Sequence, residues 1–182
     1  LRAQRQEVEK LRRDEKRLTR LVAGLARLAA QPARAARPRA AAAALRNDAL
    51  PEAGAADGAF ARLKGRLRLP ARGELANRFG AKRQDGGTTW KGLFIRAAAG
   101  AEVKAIAAGS IVFADWLRGF GNLIIVDHGG SFLSVYGNNE SLLHQVGQAI
   151  GGGDTIATVG NSGGNPETGL YFELRHLGHP VD

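Results

Sequence analysis

The chain has 182 residues, of which 44% are hydrophobic and 24% charged, with no cysteine and a formal net charge of +9. That length holds one compact domain plus an appendage, and the absence of cysteine excludes a disulfide framework and any thiolate metal site. The charge is segregated: residues 1–46 carry 13 Lys/Arg against 4 Asp/Glu, whereas residues 47–182 carry 13 of each, so by net charge the larger part is not a general polyanion binder and nucleic acid is not an expected partner.

Residues 1–30 read as helix. Leu11, Leu18 and Leu25 recur every seven residues with Val8 and Val22 as companions, and charged residues fill much of the rest. Two readings fit this stripe: the end of a coiled coil, or an amphipathic helix packed on its own domain. Both can hold at different ends of the segment. A chain that begins at Leu1 and contains no methionine reads as a piece with further coiled coil expected upstream. Residues 31–69 form a linker and arm: Pro32 and Pro38 interrupt the pattern, Ala40–Ala44 suggests a short Ala-rich helix, and Phe60, Leu63 and Leu67 are spaced apolar residues before Pro70.

From residue 70 to 182 the texture is mainly β. Candidate strands are Val103–Ala107, Ser110–Trp116, Leu123–Asp127, Phe132–Tyr136, Thr155–Val159 and Leu170–Arg175, separated by glycine-bearing turns. No ten-residue helical stripe intervenes, which excludes a doubly wound α/β fold. No long apolar run and no signal peptide is present. The four histidines make a poor catalytic set. His128 ends a strand before Gly129, His144 lies in a polar stretch, and the His176-x-x-His179 spacing is interrupted by Gly178 and followed by Pro180. No nucleophile elbow or phosphate-binding loop occurs.

Seven ordered motifs carry a family resemblance. They are Arg78-Phe-Gly80, Trp90-Lys-Gly-Leu-Phe-Ile95, residues 100–109, Gly119-Phe-Gly-Asn-Leu-Ile-Ile-Val-Asp-His128, Val135-Tyr-Gly-Asn138, Val159-Gly-Asn-Ser-Gly-Gly164 and Thr168-Gly-Leu-Tyr-Phe-Glu173. In this order, residues 70–182 resemble the LytM, or lysostaphin-like, zinc endopeptidases of peptidoglycan. The resemblance implies an antiparallel β-sheet domain of the duplicated-hybrid-motif type. It also implies that Trp90, Phe94, Asn138, Gly169 and Tyr171 stand where active members carry zinc ligands or catalytic histidines. Indole, phenyl and phenol groups do not rebuild a three-ligand zinc site. The expectation is therefore a non-enzyme with no metal and no cofactor.

Within that family, Trp90-Lys-Gly-Leu93, Ala114–Gly121, Tyr136–Asn139 and Leu170–Arg175, together with a coiled coil in front, are similar to the EnvC-type murein hydrolase activators. The resemblance implies a Gram-negative periplasmic protein at the division septum that activates N-acetylmuramoyl-L-alanine amidases, with the coiled coil engaging FtsX of the FtsEX complex. The expected partner groove presents Lys91, Phe94, Phe120, Leu123, Tyr136, Tyr171 and Arg175, aromatic anchors with two cations suited to a partner helix. A second role open to the helix near residues 10–30 is to lie in this groove as a competitor, and the sequence alone does not decide whether it does so at rest. Three other readings stand beside it: a peptidoglycan-binding relic without an enzyme partner, zinc held by His128, His176 or His179, and nucleic-acid binding by the basic appendage.

Overall fold

The computed structural model describes residues 2–29, 60–77, 79–81 and 89–182. The linker expected over residues 31–59, including its Ala-rich helix, lies outside them. The mainly β, antiparallel expectation holds. After helix α1 (Arg2–Ala29) and a 3₁₀ turn (Phe60–Leu63) come β1 (Glu74–Leu75), β2 (Leu93–Arg96), β3 (Glu102–Lys104), β4 (Gly109–Leu117), β5 (Gly121–Asp127), β6 (Phe132–Leu142), β7 (Ala149–Ile150), β8 (Thr155–Val159), β9 (Gly169–His176) and β10 (His179–Val181). The strands form one antiparallel sheet in the order β1-β2-β9-β6-β5-β4-β7, with β10 joined to β9 and β8 joined to both β6 and β3.

Alternation along the central strands gives the sheet two apolar faces. Ile124, Val126, Tyr136, Leu170 and Phe172 point to one face, where Val103, Ile156 and Val159 complete the larger core. Leu123, Ile125, Leu133, Val135, Phe94 and Tyr171 point to the other, and the cover there is α1, through Leu18 and Val22 with Leu21 and Leu25 beside them. The heptad stripe read from the sequence is thus the stripe laid on the sheet. Leu18 and Val22 are 1% and 0% exposed, whereas Val8 and Leu11 nearer the N-terminus are only half-buried.

Strand β6 runs well past the expected Tyr136. Gly137-Asn138-Asn139 looks like a turn, but the strand continues through it with Asn138 at φ 66°. Asparagine tolerates that left-handed conformation because its short polar side chain bonds locally. Here Nδ2 donates to the Gly160 and Gly169 carbonyls at 3.0 and 2.8 Å, and Oδ1 accepts from Gly163 N–H at 2.9 Å.

On the larger core's side, a polar chain is sealed beneath the arm. His128 Nδ1 lies 2.7 Å from the Ala108 carbonyl and Nε2 lies 2.7 Å from Ser134 Oγ, which lies 3.0 Å from the Tyr136 hydroxyl. A carbonyl only accepts, so Nδ1 carries the proton and Nε2 is the acceptor. Burial holds the imidazole below its ordinary value of 6.5, against smaller opposing effects of the Ala108 bond and Asp127. The unfolded chain therefore takes up this proton first, and stability falls as pH drops from 6.5 toward the folded value. Urea denaturation between about pH 7.5 and 5.5 is expected to show this loss, with a smaller slope in His128→Gln. A stability that rises on acidification over that interval contradicts the assignment.

Candidate functional site: a groove under a helix

Strands β2, β9, β6 and β5 and the turn between β4 and β5 build a groove, and α1 lies along it. Of the seven residues expected to line it, Phe94, Leu123 and Tyr171 are buried in the cluster shared with Leu18 and Val22, and Phe120 packs against that cluster. The Phe120 ring sits 5.3 Å from that of Tyr171 at 58°. Lys91 Nζ is 4.0 Å from Glu15 Oε1 of α1, with both side chains substantially exposed, a geometry worth little in solvent. Arg175 is 1% exposed and reaches α1 through Nη1, 3.4 Å from Thr19 Oγ1. Trp90 is half-buried at the edge of the same cluster.

Tyr136 does not belong with them, and here the sequence reading is corrected. Its neighbour Val135 faces the groove, so Tyr136 faces the opposite core, where its ring packs at a 51° tilt against Phe172 and its hydroxyl accepts the Ile106 N–H at 3.1 Å. Burial pushes its phenol up to about 12.

Two residues that the sequence reading passed over complete the site. Glu173 lies between Tyr171 and Arg175 on β9, and a period of two puts all three on one face. Its Oε2 accepts from the Tyr171 hydroxyl at 2.8 Å and its Oε1 from Arg175 Nε at 2.6 Å. Burial raises the Glu173 carboxyl above its usual range, the Arg175 and Tyr171 contacts oppose that rise, and the charge of Glu15 on α1 adds to it. Arg175 Nη2 is buried and has no hydrogen-bond partner among the described residues. The second is Asp14, 5% exposed on the apolar side of α1 and bonded to Arg17 at 3.1 Å. It fits against Gly119, where a Cβ would stand 2.5 Å from the Asp14 carboxyl carbon.

Gly119 also has φ +88°, which disfavours any side chain. Gly119→Ala is therefore expected to cost about 1–2 kcal/mol in backbone strain and to lift the first half of α1. Hydrogen exchange read by mass spectrometry checks this: protection of α1 amides falls, and unchanged protection contradicts the close approach.

Phe94, which the resemblance puts at a zinc-ligand position, and Gly169, which it puts at the position of a histidine that helps activate water, fit each other: a Cβ on Gly169 would lie 2.7 Å from the Phe94 ring. The ring thus fills the space a side chain at position 169 would need. Among the described residues no group of three or more His, Cys, Asp or Glu is placed to hold a metal ion. A cavity of about 190 Å³ remains beside the N-terminal half of α1, lined by Lys10, Leu11, Trp90, Asn138, Tyr171 and Glu173 among others.

This antiparallel sheet defines a lysostaphin-like peptidase domain. The sequence profile of peptidase family M23 matches residues 88–182, and the chain belongs to that family. It is 44% identical over 119 residues to the murein hydrolase activator EnvC of Escherichia coli (strain K12), covering 65% of this chain and 28% of that protein. It is 39% identical over 116 residues to the murein hydrolase activator NlpD of Salmonella typhimurium, covering 63% of this chain and 29% of that one. The chain thus spans under a third of the length of these relatives. Among solved structures, a zinc-containing peptidase from Vibrio cholerae superposes with a TM-score of 0.60 at 23% identity, covering 64% of this chain and 38% of that one. Lysostaphin from Staphylococcus simulans superposes with a TM-score of 0.54 at 23% identity, covering 60% and 46%. At that identity these two show the fold alone.

Proposed function

We propose that this chain is the regulated, non-catalytic output end of a murein hydrolase activator. It binds a periplasmic N-acetylmuramoyl-L-alanine amidase through the groove at the division septum, and α1 holds the groove closed at rest. The observation that carries this reading is the burial of Leu18 and Val22 of α1 against Phe94, Leu123 and Tyr171. An amphipathic helix already seated in an aromatic groove supports a helix as its occupant, and a partner helix of similar face would compete for it. Likeness to two activators supports the hydrolase partner. The packing of Phe94 into the space beside Gly169 supports a groove used for binding alone.

In this reading Tyr171 and Phe120 are the anchors, Arg175 and Lys91 receive acidic groups of the partner helix, and Glu173 holds Arg175 and Tyr171 in place. FtsX of the FtsEX complex acts on the coiled coil that continues from α1, and strain there draws α1 out of the groove, a population shift between a closed and an open state. Dye release from labelled peptidoglycan tests this with the chain alone, an amidase alone, and both. Release is expected to rise above the amidase alone only in the mixture and to be lost with Tyr171→Ala. Release by the chain alone, or a mixture no faster than the amidase even after residues 1–46 are removed, overturns it.

A further inference from the structure

The neutral balance of residues 47–182 hides a second segregation of charge. Between Phe60 and Gly73 the chain carries Arg62, Lys64, Arg66, Arg68 and Arg72 and no acidic residue. All five are exposed, and none forms an ion pair among the described residues. Leucines alternate with them: Leu63 and Leu67 are half-buried and Leu69 is 48% exposed.

This arm is fastened at both ends. Phe60 stacks on the His128 ring at 4.4 Å and packs against Phe132 at 5.1 Å. Pro70 and Ala71 are buried, and the Pro70 carbonyl accepts the Lys104 N–H at 2.7 Å. Ala71 belongs to the larger core, on the face of the sheet opposite to α1. The cations are therefore held on a fixed backbone, away from the groove.

We propose that this arm is a docking surface for a bilayer rich in anionic phospholipid. Clustered cations without local acids gain from a negative surface by about 1 kcal/mol each, and the exposed Leu69 beside them suits the interfacial layer of lipid. A glycan partner would instead call for exposed aromatic platforms, and the arm's one aromatic, Phe60, is buried at 6% exposure. The exposed cations of α1 are a weaker competitor, because Glu7, Glu9, Asp14 and Glu15 are interspersed among them. The surface tethers the domain and is independent of amidase binding.

The test is co-sedimentation of the whole chain with vesicles of phosphatidylethanolamine and phosphatidylglycerol, against phosphatidylcholine vesicles. Binding is expected to the anionic vesicles only. Neutralising Arg62, Lys64, Arg66 and Arg68 together to Gln is expected to weaken it by about 100-fold or more. The combination Arg62→Lys, Arg66→Lys and Arg68→Lys keeps the charge and is expected to retain binding, which separates charge from folding. Arg12→Gln, Arg13→Gln, Lys16→Gln and Arg20→Gln on α1 together are expected to change it little. Dye release with an amidase in solution is expected to be unaltered by the arm variants. No binding to anionic vesicles, retention by the Gln variant, equal loss in the Lys variant, or loss carried by the α1 variant overturns the proposal. Arm-dependent capture by peptidoglycan sacculi without vesicle binding also overturns it.

Discussion

Leu18→Glu with Val22→Glu is expected to raise activation of an amidase by at least about 10-fold over the unaltered chain at limiting concentration. The two side chains are fully covered by the groove, and burial of each is worth about 1.5–3 kcal/mol. Glutamate at either place cannot stay docked without burying an unpaired carboxylate. The closed state is thus lost while the groove itself is untouched. Apparent affinity for the partner scales with the open fraction, so the gain measures how completely α1 closes the groove at rest. Removal of residues 1–46 is expected to give the same gain, read by dye release across a dilution series. No gain from either change means that α1 does not restrain this face.

Arg175→Ala has the largest expected effect on stability, about 3–5 kcal/mol, because it leaves a buried carboxylate without its counter-charge. Glu173 is 1% exposed, and its 2.6 Å bond to Arg175 Nε is the contact that offsets its burial. The companion change separates folding from recognition. Arg175→Met with Glu173→Leu removes both charges and is expected to recover much of the lost stability in urea denaturation, since apolar replacement of a buried pair is often neutral or better. The same double variant is expected to remain poor at amidase activation, because the proposed function has Arg175 receive an acidic group of the partner. Equal stability of Arg175→Ala and the unaltered chain contradicts the buried-pair account.

Much of the fold was legible because it rests on local pattern. Strands β4, β5 and β8 announce themselves by β-branched residues between glycine turns, and β9 by its leucines and aromatics. The strands not foreseen, β1, β2, β7 and β10, have two to four residues each, too short for alternation to register. They exist because neighbours pair with them: β2 registers Phe94 against Tyr171, and β10 registers Pro180 against Arg175. The β3 segment is also shorter than expected, with its ladder to β8 irregular after Val103.

The site was legible in its residue types but not in its parity. Tyr171 and Arg175 stand out by their chemistry, and their shared face follows from a period of two, which places Glu173 between them. The same parity places Tyr136 in the opposite core beside Ser134 and His128. The heptad of α1 could not by itself distinguish a second helix from a sheet as its cover. What decides it is the aromatic groove that Leu18 and Val22 meet, assembled from strands more than 60 residues away in sequence.

Hydrogen exchange of the whole chain, with and without saturating amidase, tests most directly that α1 and the partner compete for one groove. The account predicts that amides of α1 around Leu18 and Val22 lose protection when the amidase binds, while amides of β9 around Tyr171 and Arg175 keep or gain it. Binding of the amidase with α1 still fully protected would contradict it.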